Sequence, residues 1–438
     1  MPQVRILLSP PFILGVMMLD IVFIRENPDV VKKACLLKNI DISIDLIIEL
    51  DKKLRSIIHQ TETLRSERNN LTTEFSRVSS DEHKQSLRIK VSSVKQTLAT
   101  LESESECVRQ RLKSLLLQVP AIPWSGAPQG NDDSSNVVIR KCGQLPSFAF
   151  PVRDHIELME LNGWADFSRV ANVSGSRTYI LKGRLALLEQ SLLLFAAQQM
   201  MRRGFTPVSV PSIAREQALT ATGHFPAGRE DVFEIERDAL FLTGTAEVIL
   251  TSLHTDEILS MTDLPLKYSG ISPCFRREAG SAGRDVRGLM RVHQFNKVEQ
   301  FIISPADMAS SEKYHAELLA NAEYLMTELE IPYQVLECST GDMGAGKFRQ
   351  NDIEAWIPSF NGYRETHSCS SLLDWQARRA NLRYRDYDGK VRYAHTLNNT
   401  AIATPRIFVS LLENHQTEDG RVKIPACLRS FFDGDIYL

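Results

Sequence analysis

A heptad is the first pattern to emerge along the chain. Ile47, Leu50, Leu54, Ile57, Leu64, Leu71, Phe75 and Val78 keep the a/d spacing of a helical seam, with polar interruptions at Thr61 and Arg68. After Ser79-Ser80-Asp81 the spacing resumes at Leu87, Val91, Val94, Leu98, Leu101, Val108, Leu112 and Leu115. No proline falls between Pro28 and Pro120. Sustained heptads on both sides of one break predict two antiparallel helices of about 34 residues each, about 50 Å long. Such a hairpin cannot close a compact core by itself and should project as an arm. Ahead of it, residues 18 to 43 read as a short cap containing a helix, with Asn27-Pro28 as its start signal.

The periodicity stops in VPAIPWSGAPQGNDDSSN, residues 119 to 136, a linker rich in Pro, Gly, Ser and Asn. From 137 to 438, short β-like runs, turns and amphipathic helices alternate, as in an α+β domain. His155 to Leu161 and Leu185 to Arg202 read as helices, and GFTPVSVPSI turns extended after them. Ser269 to Ile303 reads as two antiparallel strands joined by a long Gly- and Arg-rich loop. The plan is an extension (1–17), a helical arm (18–118), a linker (119–136) and an α+β domain (137–438).

Composition narrows this plan only slightly. The 438 residues are 43% apolar and 24% charged, ordinary for a globular chain of two or three domains. The net charge of −3 carries no global basic signature, so any nucleic-acid contact must come from local patches. One such patch lies at the distal end of the arm. Arg65, Arg68, Arg77, Lys84, Arg88, Lys90 and Lys95 face four acids there. Charge alone favours a solvated coiled-coil face over an RNA-binding one. The seven cysteines are scattered, with no CxxC pair, so neither a zinc site nor a disulfide framework is expected and a reducing cytoplasm is the simplest location. No apolar run reaches the roughly 18 to 20 residues that span a bilayer. Residues 1 to 17 make a poor targeting signal, and the expectation is either that Met18 is the natural start or that the extension is an unstructured tail.

The candidate chemistry sits on the predicted hairpin. Phe275-Arg276-Arg277-Glu278 opens it, and His293-Gln294-Phe295-Asn296-Lys297-Val298-Glu299 returns. Arg276 and Arg291 suit phosphate oxygens, because guanidinium binds them in a fork and stays charged. Phe295 offers a flat face to a base. The hairpin resembles motif 2 of the class II aminoacyl-tRNA synthetases, in the wording of the seryl-tRNA synthetase family. The resemblance runs from Met18 to Arg429. It implies a coiled-coil arm followed by a catalytic domain built on an antiparallel β-sheet flanked by helices.

The implied function is a serine–tRNA ligase. It uses ATP and Mg²⁺, serves tRNA(Ser) and tRNA(Sec), and forms a homodimer through the motif-1 helix and the strand around Pro211. No zinc and no membrane are expected. The resemblance assigns ATP to Arg276, Glu278, Arg291, Phe295, Glu365, Ser368 and Arg406. Glu365 and Ser368, in YRETHSCS, would also hold Mg²⁺, and Arg406 begins the motif-3 helix. Serine falls to Thr245, Glu247, Arg276, Glu299, Asn398 and Thr400. Arg276 and Arg406 are the residues implied to stabilise the reacting phosphates. The family uses its arm to hold the long variable arm of its tRNA.

Three other readings compete. Gly341 to Lys347 matches GxxxxGK, the phosphate loop, but Phe348 stands where Ser or Thr should bind Mg²⁺ and a strand-like run follows. A catalytically inactive paralogue acting as an RNA-binding or regulatory protein would keep the fold, although every motif residue above is present. Shortened homologues that load carrier proteins lack the arm. His367 beside Cys369 departs from the usual YREISSCS and invites a zinc or thiol reading, but neither residue has further ligands or a base at matching spacing.

Overall fold

The structure is a computed structural model and describes residues 19–279 and 288–438. The extension through Met18 and residues 280–287 of the Gly- and Arg-rich loop lie outside the described residues. Among the described residues, 19–36 and 40–119 make one unit, and 37–39 with 120–438 make the other.

In the first unit the cap contains two helices rather than one, α1 (Ile21–Glu26) and α2 (Pro28–Leu37). Proline at the first helical position costs no hydrogen bond, which is why α2 starts there. The heptads form α3 (Ile44–Arg77, 34 residues) and α4 (Asp81–Leu116, 36 residues). The Ser43 hydroxyl caps α3 by accepting from the Leu46 N–H at 3.2 Å. Lys53 pairs with Glu104 and Arg65 with Glu102, both at 2.8 Å, so the helices run antiparallel. The apolar core gathers at the base, from Ile44, Ile47, Leu50, Leu54 and Ile57 to Val108, Leu112 and Leu116. Two seam positions differ from the heptad reading. Thr61 is buried because its hydroxyl returns to the Ile57 carbonyl at 2.8 Å, and Leu116 takes the deep position expected of Leu115. Leu64, Leu71, Phe75 and Val78 are only half-buried.

In the second unit the strands are β1 (Val137–Cys142), β2 (Thr206–Ser209), β3 (Ile213–Arg215), β4 (Glu234–Ile235), β5 (Leu240–Leu242), β6 (Ile258–Ser260), β7 (Leu266–Phe275), β8 (Gln294–Ser304), β9 (Tyr333–Glu337), β10 (Arg349–Ile357), β11 (Gly362–Leu373), β12 (Arg383–Arg385), β13 (Val391–Tyr393) and β14 (His395–Ala403). Eight of them form one sheet in the order β1-β9-β10-β11-β14-β8-β7-β2, antiparallel except where β2 joins β7. The helices are α5 (His155–Leu161), α6 (Phe167–Ser174), α7 (Arg184–Arg202), α8 (Glu216–Thr222), α9 (Glu247–Ser252), α10 (Met308–Glu328), α11 (Trp375–Ala380) and α12 (Thr404–Asn414).

Alternation along β8 divides the sheet into two faces. Val298 and Ile302 pack with Leu188 of α7, Leu318 of α10 and Ile407 of α12 in the main core. Phe301 and Ile303 point the other way, toward Ala246, Leu250 and the α11 residues Ala377 and Ala380. Each fully buried Leu or Ile contributes about 1.5–3 kcal/mol. Glu299 and Lys297 share the second face, which carries the site.

The stretch read as a linker is built into this unit. The Ala121 N–H donates to the Ala345 carbonyl at 2.8 Å and the Trp124 N–H to the Phe348 carbonyl at 2.7 Å. The Arg349 guanidinium lies 4.2 Å from the Trp124 ring centre. A Pro-rich strip can therefore be ordered by backbone pairing that its composition does not reveal.

Candidate active site

A cavity of about 350 Å³ opens on the second face of the sheet. Thr245, Glu247, Arg276, Glu278, Arg291, Phe295, Glu365, Ser368, Asn398, Thr400 and Arg406 all line it. Glu299 does not. It lies fully buried behind the wall, directly across the ladder from Thr400.

The floor is a closed polar network. Asn398 donates through its amide nitrogen to Glu299 at 3.0 Å and to Glu247 at 3.2 Å. Gln376 donates to the other Glu247 oxygen at 2.6 Å and is itself held by the Thr396 hydroxyl at 2.8 Å. Lys297 forms an ion pair with Glu299 and donates to the Thr245 hydroxyl at 3.2 Å. One buried and one half-buried carboxylate thus share one ammonium and two amides, the kind of partners that charge withdrawn from water requires. β5 ends at Leu242, and Glu247 is the first residue of α9.

The mouth is cationic. Pairing of β7 with β8 runs from Leu266↔Ile303 to Phe275↔Gln294, and the Arg276 N–H extends it to the His293 carbonyl at 2.9 Å. The Arg276 guanidinium lies 5.2 Å from the Phe295 ring centre, and its Nε donates to the Gly244 carbonyl at 3.4 Å. Arg291 pairs with Glu278 at 3.1 Å. Arg406, near the start of α12, pairs with Glu365 at 3.2 Å. Burial would raise the Glu365 carboxyl, but its side chain is 47% exposed, and Arg406, Lys347 and Arg276 hold it below its ordinary range.

Glu365 and Ser368 stand three residues apart, which in a regular strand puts them on opposite faces. Both line the cavity because the β10–β11 register shifts where Ile353 pairs His367 and Glu354 pairs Glu365. Thr366 is the extra residue of a bulge, the device by which a strand re-aims a side chain. A second shift on β14 leaves Ala401 unpaired between Thr400 and Ile402. His367 ties the two bulges together, with Nε2 on the Ala401 carbonyl at 3.0 Å and Nδ1 on the Thr366 hydroxyl at 2.8 Å. Burial lowers its pKa to about 4, so the ring is neutral and engaged at both nitrogens. The carboxylate of Glu365 and the hydroxyl of Ser368 are the hard oxygen donors that suit Mg²⁺.

Of the further lining residues, His224 carried no sequence signal, whereas Lys297 lies in the return segment of the hairpin and Gly344 to Lys347 in the GxxxxGK match, whose glycines suit a loop beside the active site. Lys297, Lys347, His224 and Gly344 to Gly346 come from segments far apart in the chain. Burial, then the charges of Arg276 and Lys297, bring His224 down to about 4. Lys347 donates to the Ser368 hydroxyl at 3.2 Å. The GxxxxGK match is a loop leading into strand β10 and not into a helix, so it is not the phosphate loop it resembles. In the arm, Arg65, Arg77, Arg88, Lys90 and Lys95 are exposed, while Arg68 and Lys84 are half-buried. Arg65 is engaged by Glu102, and Arg88 sits 5.4 Å from the Phe75 ring centre.

An antiparallel sheet with an FRxE hairpin on one side, an arginine-headed helix on the other and a carboxylate floor between them defines a class II aminoacyl-tRNA synthetase core. Comparison with known proteins agrees. Residues 232–415 match the tRNA synthetase class II core domain (G, H, P, S and T), and residues 18–123 match the seryl-tRNA synthetase N-terminal domain. A serine–tRNA ligase of Deinococcus radiodurans is 50% identical over 417 residues, covering 95% of this chain and 98% of its own. The Pyrococcus horikoshii seryl-tRNA synthetase complexed with ATP superposes with a TM-score of 0.88 at 39% identity, covering 96% of this chain and 99% of that one. The cytoplasmic serine–tRNA ligase of Naegleria fowleri in complex with AMP gives 0.84 at 26% identity over 96% and 99%. This chain belongs to the seryl-tRNA synthetase family.

Proposed function

We propose that the chain is a serine–tRNA ligase, and the floor network is the observation that carries this reading. Thr245 and Glu247 meet the serine ammonium. Thr400 meets the hydroxyl, with Glu299 acting from behind the wall through Asn398 and its ladder partner Thr400. A site that hydrogen-bonds a hydroxyl rejects analogues lacking it, because its buried partners would be left unpaired. Phe295 and Glu278 receive the adenine, and Arg276, Arg291 and Arg406 receive the phosphates.

In the first step a serine carboxylate oxygen attacks the α-phosphorus of ATP in line. The new P–O bond forms as the bond to pyrophosphate breaks. Arg276 holds the α-phosphate and the carboxylate together, and Arg406 steadies the leaving end. This is positioning and charge stabilisation, with no protein nucleophile. Glu365 and Ser368 would hold Mg²⁺, which neutralises phosphate charge when bound. In the second step a hydroxyl of the terminal adenosine of tRNA attacks the acyl carbon, its proton is released, and AMP departs. The arm residues Arg65, Arg68, Arg77, Lys84, Arg88, Lys90 and Lys95 contact tRNA phosphates, so charging is salt-sensitive. tRNA(Ser) is the substrate, and the family resemblance extends the proposal to tRNA(Sec).

Two further parts of the reading rest on surface and thiols. Leu187, Leu194 and Met201 are more than half or half exposed at seven-residue spacing on α7, beside the edge strand β2. An apolar stripe next to an open edge supports a homodimer. All seven cysteines are unpaired, and no described helix is long and apolar enough to cross a membrane. Free thiols support a cytoplasmic location.

The test is ATP–pyrophosphate exchange with each of the twenty amino acids, without tRNA. Exchange with serine alone is expected. No exchange from a folded protein overturns the reading.

A further inference from the structure

Lys38 and Lys297 are the two deeply buried lysines among the described residues, at 5% and 6% exposure. Lys297 belongs to the floor network, but no step above uses Lys38. It lies after α2 in sequence, yet residues 37–39 group with the second unit. Its ammonium donates to three backbone carbonyls, those of Gly344 at 3.2 Å, Ala345 at 3.0 Å and Lys347 at 2.5 Å. Lysine has three N–H donors, and all three are spent on one short loop.

Three carbonyls converging on a point repel one another, and a buried cation is what holds them there. The neighbouring Asn39 fastens the same segment, donating to the Asn131 carbonyl at 2.8 Å. The clamped loop matters because Gly344, Ala345, Gly346 and Lys347 all line the cavity. Lys347 reaches Ser368 from it, at the end of the cavity where Glu365 and Arg406 meet. Burial, with the Lys347 charge second, lowers the Lys38 pKa to about 7. An ammonium so placed depends on its acceptors.

We propose that Lys38 is a positioning residue for ATP: by gathering the three carbonyls it sets the curl of the 344–347 loop, and through it Lys347 and Ser368. This rests on reading the cavity as the site for ATP and serine. The floor network that meets serine shares no hydrogen bond with the loop, so the effect should fall on one substrate.

The experiment is steady-state ATP–pyrophosphate exchange with serine, for the wild-type chain and for Lys38→Met, Lys38→Gln and Lys38→Arg, each checked for folding by circular dichroism. Wild-type exchange must be present; its absence would fail the ligase reading and not this one. In Lys38→Met the KM for ATP should rise about tenfold, the size of a lost buried hydrogen-bond set, with the KM for serine unchanged. Lys38→Gln keeps two donors and should fall between, and Lys38→Arg should recover most of the loss. An unchanged KM for ATP in a folded Lys38→Met or Lys38→Gln variant overturns the proposal. So does an equal rise in both KM values, which is what general loosening would give.

Discussion

Asn398 carries the floor of the cavity. One side-chain amide donates to two carboxylates, the half-buried Glu247 and the buried Glu299, that would otherwise face each other. Removing it leaves both acceptors short of a donor, which costs about 1–3 kcal/mol. Asn398→Ala should therefore raise the KM for serine about 10- to 100-fold in pyrophosphate exchange while leaving the KM for ATP alone. Equal effects on both substrates would remove the network from serine recognition. Lys297 makes the complementary case. Its ion pair with Glu299 is 8% and 0% exposed, so the charges are hardly screened. Lys297→Met strands a buried carboxylate, and breaking such a pair costs about 3–5 kcal/mol. A urea or thermal denaturation comparison reads this directly, and a loss near zero would mean that the ion pair does not support the fold.

At the scale of elements, the bulges on β11 and β14 decide what the strands present. The histidines stitching this region are buried: His367 between the bulges, and His315 with Nε2 on the Asn351 side chain at 2.8 Å. Burial lowers both to about 4 from an ordinary 6.5. Between those values the unfolded chain binds protons that the folded chain refuses, so stability falls as pH drops from about 6.5 to about 4. Each histidine accounts for on the order of 3 kcal/mol at full titration. Asp352 opposes them. Burial and the Glu365 charge raise it to about 6, so it gives stability below about 4 that is lost as pH rises toward 6. Two groups outweigh one, and acid should destabilise. Melting temperatures measured from pH 7 to pH 4.5 should fall, and His367→Gln should make the fall shallower; an unchanged slope would contradict the argument. The same bulges mark the limit of sequence reading. The heptads of α3 and α4, the β7–β8 hairpin and the helix at Arg406 were legible because each is a local period or a local motif. The way Glu365 and Ser368 reach one cavity was not, because a register shift depends on the partner strand. The roles of Lys297, Lys347 and His224 were likewise not legible, although the first two sit in quoted motifs, since those roles exist only once distant segments meet. For α7 the reverse holds: the stripe of Leu187, Leu194 and Met201 shows as exposed only in the folded unit. Leu194→Glu should convert a dimer to a monomer in sedimentation equilibrium, and a monomeric wild type would refute the interface.

For the molecule as a whole, the question is whether adenylation and tRNA charging divide between its two units. The arm's apolar core lies at its base, where Ile57 and residues before it meet Val108 and residues after it. Beyond that level α3 buries only Thr61 of its seam, and α4 buries only Leu87, Val94, Leu98 and Ser105. The distal half is therefore held by helix propensity, a few contacts and scattered ion pairs, and exposed pairs of that kind contribute about 1 kcal/mol or less. Because Arg65 pairs with Glu102 across the hairpin, cutting out residues 65–95 and closing the gap with a short turn leaves a shorter hairpin on an intact base. No cavity-lining residue lies in the removed segment. Pyrophosphate exchange with serine should stay near the wild-type rate. Charging of tRNA(Ser) should fall by about 10³-fold or more, because several phosphate contacts vanish together and each depends on a counterion released from the RNA. The wild-type charging rate should fall steeply with added salt, and the residual rate of the truncated chain should not. Equal loss of both activities would instead show that the arm acts on the catalytic site itself, and the division of labour would have to be abandoned.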